Sequence, residues 1–273
     1  MTSPPPDGRA LLAVFAHPDD ESIAAGGLLA WCAALGVRVT TLSLTHGEQG
    51  RSAEPGASSG TFALGDLRAQ ELRAAARELG IEDVRVLNHA DGMLPWLDAA
   101  RLERDIERAI RDTGAEVVVT FDEDGLYWHP DHVAVHEHTT AAVAALGSDA
   151  PALYYVSMPP GAMRTVVDEA ADRFGGDTGQ GRPPRSILGV EDAGAFGAFA
   201  AAPTLVLDTG DFARRKLRAL ACHRTQRHDC ALGLIPEEEA ARLLGVEHYR
   251  RADVGAQGPS FLDRLPSRAP APR

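Results

Sequence analysis

Cysteine and basic charge are both scarce in this 273-residue chain. Its three cysteines (Cys32, Cys222 and Cys230) are an odd, sparse set, which speaks against a disulfide scaffold and for a reducing compartment. Lys plus Arg number 27 against 39 for Asp plus Glu, a formal charge of -12. That shortfall excludes the basic stripe of a nucleic-acid binder and disfavours an anionic membrane surface. No apolar run approaches the roughly 18 residues of a membrane helix. The N-terminal MTSPPPDGR is Pro-rich and polar, where a signal peptide needs an apolar region. The exclusions leave an acidic, globular, cytoplasmic protein with no membrane insertion. At this length one α/β domain can bury about 75% of the surface of its unfolded chain.

What is present is an alternation. The apolar run 10–16 (ALLAVFA) is short and stops abruptly at His-Pro-Asp-Asp, the pattern of a strand buried on both faces. Further strands are expected at 37–44, 84–87, 117–121 and near 204–207. Helices are expected at 27–35, 66–79, 102–110, 132–146 and 211–223, several closed by glycine or opened after proline. Strands alternating with helices imply an α/β fold with a mostly parallel sheet and right-handed crossovers. Residues 1–251 read as one domain with loop insertions at about 50–65 and 159–197, and 252–273 as a tail with the composition of disorder.

The polar residues collect after the strands. His17-Pro18-Asp19-Asp20-Glu21 follows the first, Thr45-His46-Gly47-Glu48 the second, Asn88-His89-Ala90-Asp91-Gly92 the third, and Asp122-Glu123-Asp124 leading to Tyr127-Trp128-His129-Pro130-Asp131-His132 the fourth. In a parallel sheet these ends share one edge, where open α/β folds bind ligands. His17 and Asp20, three apart at a strand-to-helix junction, can grip one cation, with His132 as the natural third ligand. Two His and one carboxylate leave a position open, as in catalytic rather than structural zinc. Asp19 is then free to act as a base, and His129 with Asp131 forms a second pair in which a carboxylate can orient an imidazole. Either motif alone is compatible with a capping or polar turn; both following parallel strands argues for a site. His136 and His138 read as helix-face residues. The cluster Cys222-His223 with His228-x-Cys230 matches no common zinc module.

The combination AHPDDE (16–21) and HPDH (129–132) resembles the LmbE/PIG-L family of metal-dependent N-deacetylases, which act on N-acetylglucosamine-type sugars in glycosylphosphatidylinositol, mycothiol or bacillithiol precursors and some antibiotic glycosides. The resemblance extends to Thr45-His46-Gly47-Glu48, Arg68-x-x-Glu71, Asp91-Gly92, and Lys216 followed by His223-Arg224-Thr225-Gln226. It implies a Rossmann-like three-layer sandwich with the active site at the C-terminal strand ends. It also implies metal ligands His17, Asp20 and His132, Asp19 as general base, and His129 oriented by Asp131. Tyr127 would assist the oxyanion, and Arg68 and Asp91 would contact the sugar. The cofactor implied is Zn2+, with Fe2+ sharing the same ligand preferences. The partner is a small N-acetylated amino sugar or glycoside. Competing readings are a metal-dependent phosphoesterase and a non-catalytic sugar- or nucleotide-binding module. Elemental analysis of the purified protein is expected to find about one zinc or iron per chain; no metal bound, and none taken up on addition, would contradict the hydrolase reading.

Overall fold

A computed structural model describes residues 8–50, 61–176, 182–227 and 230–266. Strands β1 (Ala10–Phe15), β2 (Arg38–Thr45), β3 (Asp83–His89), β4 (Val117–Phe121) and β5 (Ala152–Val156) pair in parallel. With β6 (Leu205–Asp208) and β7 (Val246–Gly255) they form one sheet in the order β3-β2-β1-β4-β5-β7-β6. Every residue of β1, β4 and β5 is buried, because helices cover both faces, and this is why these strands read as continuous apolar runs. The sheet grows outward in opposite directions from β1 and β4, so the switch point lies between them.

Helices α1 (Asp20–Ala34), α2 (Thr61–Leu79) and α7 (Ala213–Cys222) pack together, and α3 (Ala99–Thr113) packs on α5 (Pro130–Ala145). Between β4 and α5 the chain makes one distorted turn, α4 (Gly125–Trp128). Helix α3 follows its sequence signals: Asp98 accepts the Ala100 amide at 3.0 Å, and Gly114 ends the helix at φ 61°. Both α1 and α2 start earlier than expected. In α1 the first turn is Asp20-Glu21-Ser22, polar yet buried, so no amphipathic stripe marks it.

The sheet is mixed rather than wholly parallel: β7 runs antiparallel to both β5 and β6. Strands β5 and β7 and helix α6 (Ala162–Phe174) were not expected, and α6 occupies part of the 159–197 segment read as loop. The tail expected from residue 252 begins inside β7. Ala252 and Leu262 are buried, and Tyr154 donates its hydroxyl to Asp263 Oδ1 at 2.7 Å, so apolar contact and a buried hydroxyl hold the segment to the sheet. The central parts of the 50–65 and 159–197 insertions, and residues 267–273, lie outside the described residues.

One residue of β7 ties the layers together. Glu247 accepts the amides of Gly27 and Leu28 at 2.8 Å each, Lys216 Nζ at 2.7 Å and the Tyr249 hydroxyl at 2.7 Å. A side chain at Gly27 would place Cβ 2.3 Å from Thr209 Oγ1, so glycine lets α1 approach the β6–β7 side this closely. Glu247→Ala leaves Lys216 buried without its counter-charge. It is expected to lower stability by about 3–5 kcal/mol, measured by urea denaturation; a loss under about 1 kcal/mol would mean the pair is in effect exposed.

Candidate active site

At the end of β1 the chain turns through Ala16-His17-Pro18-Asp19 into α1. Asp19 occupies the N-cap position at φ 124°, ψ -26°, and its side chain makes no capping bond. The capping-turn alternative therefore fails for this residue. A non-glycine residue in this region costs roughly 1–3 kcal/mol and persists only where the surroundings over-determine it. Here the Asp19 amide donates to Glu21 Oε2 at 3.0 Å. The amides of Ser22 and Ile23 donate to its carbonyl at 3.1 and 3.2 Å. Arg68 Nη2 donates to the Pro18 carbonyl at 2.7 Å and to Asp19 Oδ2 at 3.2 Å. Adjacent aspartates thus diverge: Asp19 faces a guanidinium and Asp20 faces two imidazoles.

His132 comes from across the switch point, on α5. Its ring stacks on Phe121 with centroids 4.0 Å apart, and its Nδ1 lies 3.1 Å from the Gly125 carbonyl. That bond assigns the proton to Nδ1 and leaves Nε2 as a bare acceptor. Gly125 adopts φ 52°, and a Cβ there would meet His132 Cβ at 2.8 Å. His17 Nε2 lies 3.0 Å from Asp91 Oδ1 and 3.4 Å from Asp131 Oδ2, which leaves Nδ1 bare in the same way.

These two bare nitrogens stand 3.2 Å apart. Asp20 Oδ2 is 3.5 Å from His17 Nδ1, and Asp20 Oδ1 is 3.3 Å from His132 Nε2. Lone pairs facing one another at this distance require positive charge between them. In a tetrahedral zinc site with bonds of 2.0–2.1 Å, ligand atoms lie about 3.3 Å apart, so the donor set fits one divalent cation. Ring nitrogens of His17, His129 and His132 also lie within 4.8 Å of one another, as do donor atoms of His17, Asp91 and Asp131. Both groupings share His17, so they describe one centre. Asp131 and Asp91 are the weaker candidates because both face His17 through Nε2, whereas Asp20 spans the Nδ1 of His17 and the Nε2 of His132.

The charges report the same demand for a cation. Burial opposes a protonated His17, but Asp131, Asp20 and Asp91 outweigh it and hold its pKa well above the ordinary value. For Asp20 burial favours the neutral acid, yet His132 and His17 hold it well below the usual carboxylate range. Burial pushes His132 down to about 3. It pushes Asp19 up to about 6, against the pull of Arg68.

The remaining expected residues gather here with changed partners. The Asp131 carboxylate does not orient His129. It accepts the amides of Gly92 at 2.8 Å and Leu94 at 3.2 Å and faces His17, because in the first turn of α5 it points back toward the loop after β3. The Asp131 backbone amide instead donates to His129 Nδ1 at 3.2 Å, leaving Nε2 to carry the proton of a neutral ring. Burial, then nearby His17, lowers the His129 pKa. Tyr127 packs edge-on to His132 at 5.2 Å and against Phe196 at 4.8 Å. Arg68 and Asp91 line the cleft and also meet protein partners: Arg68 Nη1 donates to the Gly47 carbonyl at 2.7 Å while its Nε has none among the described residues, and Asp91 Oδ2 accepts the Gln49 amide at 2.7 Å. His136 bonds the Phe121 carbonyl and His138 bonds Glu103, away from the metal donors. Sequence reasoning gave no role to buried Glu21, which meets His223 Nε2 at 2.9 Å; its signal was position, directly after the two aspartates.

The residues open into a cleft of about 770 Å³ whose lining also includes Gln49, Glu191, Phe196 and Gln226, a size suited to a small molecule of one or two rings. An α/β sheet whose switch point gathers His and Asp donor atoms that could hold a metal ion, beside a cleft of this size, has the layout of an enzyme's active site. The chain belongs to the PIG-L family. The family model, described as GlcNAc-PI de-N-acetylase, matches residues 12–143. The 1D-myo-inositol 2-acetamido-2-deoxy-alpha-D-glucopyranoside deacetylase of Acidothermus cellulolyticus is 36% identical over 264 residues, covering 88% of each chain. That of Streptomyces scabiei is 34% identical, covering 95% of this chain and 90% of the relative. Among solved structures, N,N'-diacetylchitobiose deacetylase from Pyrococcus horikoshii aligns with TM-score 0.60 at 18% identity, over 89% of this chain and 84% of that one. The 4-carboxy-2-hydroxymuconate hydratase GalB of Pseudomonas putida aligns with TM-score 0.61, also at 18% identity, over 92% and 99%. At that identity the structural likenesses show the fold alone. The chain is thus an enzyme of a de-N-acetylase family whose curated relatives take N-acetylglucosamine-type substrates.

Arg68 is the cation that offsets the burial of Asp19. In Arg68→Met the Asp19 carboxyl is expected to titrate above about 6, followed by carbon NMR of the chelator-treated protein. An unchanged or lower titration point would contradict this electrostatic account.

Proposed function

We propose that the chain hydrolyses the acetamide of an N-acetylglucosaminide carrying a neutral polyol, of the glucosaminyl-inositol kind, with zinc as its metal. The observation that carries this reading is the meeting of His17 Nδ1, His132 Nε2 and the Asp20 carboxylate within 3.2–3.5 Å, with Asp19 beside them and turned away. The substrate part rests on the names of the curated relatives at 36% and 34% identity. Zinc suits the two imidazoles and one carboxylate; iron(II) accepts the same set, and reconstitution with each ion separates them.

His17, Asp20 and His132 would hold a divalent cation, which would supply acidity to a water and positive charge to polarise the amide. The protein's own groups do the rest. Asp19, pushed to about 6 by burial, lies close enough to neutral pH to accept a proton from water and return it to the departing amine. His129 is held neutral with Nδ1 occupied, so it serves as an Nε2–H donor to the developing oxyanion rather than as the source of the amine's proton. Tyr127 is a second donor from the same wall; burial raises its pKa well above the ordinary value, so its hydroxyl keeps its hydrogen. Losing one such donor typically costs about 10² to 10³ in rate. Arg68 holds Asp19, and Asp91 with Asp131 holds His17; these positioning roles stand beside the sugar contacts expected of Arg68 and Asp91, since both also line the cleft.

Asp19→Ala is expected to keep its metal and lose about 10²–10⁴-fold in turnover, whereas Asp20→Ala is expected to lose the metal itself. Amine release from the inositol glycoside and from free N-acetylglucosamine, with metal content measured beside it, tests both. Equal metal loss in the two variants would refute the division of labour between the aspartates.

A further inference from the structure

We infer that the buried Glu21–His223 pair positions Asp19 for catalysis. The inference rests on the reading of Asp19 as the base. With φ at 124°, the Asp19 amide points out of the α1 hydrogen-bond ladder into the protein, where it needs a buried acceptor. Glu21 Oε2 is that acceptor at 3.0 Å. A first-turn glutamate reaching back to the N-cap amide resembles half of a capping box. Here it has a particular consequence: the backbone of Asp19 is anchored without using its side chain, which is left for the cleft.

A lone carboxylate 1% exposed would be costly, and its second oxygen is supplied with one donor from the next residue and one from far along the chain. Glu21 Oε1 takes the Ser22 hydroxyl and His223 Nε2, the latter at 2.9 Å. His223 is fully buried and follows α7. The turn that carries it is pinned by Glu71 of α2, which accepts the amide of Thr225 at 3.0 Å and its hydroxyl at 2.7 Å. Glu71 stands three residues after Arg68, on the same side of the helix. One face of α2 therefore grips both sides of Asp19: Arg68 takes its carboxylate directly, and Glu71 secures the turn whose histidine secures Glu21. Neither Glu21 nor His223 borders the cleft, so both are positioning residues.

The test compares Glu21→Ala, Glu21→Gln and His223→Ala with the wild type for metal content, kcat, KM and exchange of the Asp19 amide by NMR. Glu21→Ala is expected to keep its metal and KM while kcat falls about 10²-fold, the scale of a misplaced catalytic group. Glu21→Gln should recover most of that loss, because its amide oxygen can still accept the Asp19 amide. Combining Glu21→Ala with His223→Ala should cost no more than Glu21→Ala alone. The Asp19 amide should be protected in the wild type and exposed in Glu21→Ala. A kcat within about threefold of wild type in Glu21→Ala, metal loss matching activity loss in both Glu21 variants, or an unprotected wild-type amide would each overturn the inference. If Glu21→Ala does not fold, His223→Ala and the wild-type amide decide. If the wild type releases no amine, the functional reading fails, while amide protection still decides whether Glu21 holds Asp19.

Discussion

Negative charge crowded around a single imidazole sets the terms for the rest of this molecule. Asp20, Asp91 and Asp131 all come within 3.5 Å of the ring nitrogens of His17, in a place where water reaches little of any of them. Carboxylates so close repel one another strongly unless each is given donors and the group as a whole is given a cation. The donors come from the connecting loops: the amides of Gly92 and Leu94 serve Asp131, that of Gln49 serves Asp91, and that of His17 serves Asp20. Three loops are therefore fixed by the charges they neutralise. The scaffold and the site are one set of hydrogen bonds seen from two directions.

What could be read in the sequence follows from which forces are local. Strands β1 and β4 were visible because burial on both faces leaves an uninterrupted apolar signature, and the motifs His17-Pro18-Asp19-Asp20 and His129-Pro130-Asp131-His132 were visible because each spans four residues. Strand β7 was not, because it alternates buried Glu247 and Tyr249 with half-buried His248 and Arg250, and its buried glutamate is explained by Lys216, the Tyr249 hydroxyl and the amides of α1. The partners of Asp131 were misread for a related reason: adjacency suggested His129, whereas the amides that claim the carboxylate come from about 40 residues earlier. The roles of Glu21 and His223, 202 residues apart, needed the fold before either had a meaning.

The fold by itself leaves the reaction open. A hydratase and a deacetylase overlay on this chain about equally well, so the sheet is a frame on which several chemistries can be built. What distinguishes this chain lies in a few side chains at the switch point and in the backbone around Asp19. There the positive φ of Asp19 turns two neighbouring aspartates toward different partners. Helix α1 then carries small residues, Ala24 to Gly27, where it must lie close under the β6–β7 side.

Lys216 is the only lysine in the chain, and it is sealed against Glu247 with 7% of its side chain accessible. Arginine supplies all the other permanent side-chain cations. The surface therefore offers reagents that label primary amines almost nothing among its side chains. For an enzyme whose product is itself a primary amine, this means a fluorogenic amine dye can follow turnover directly in the reaction mixture, over an unusually low contribution from the catalyst.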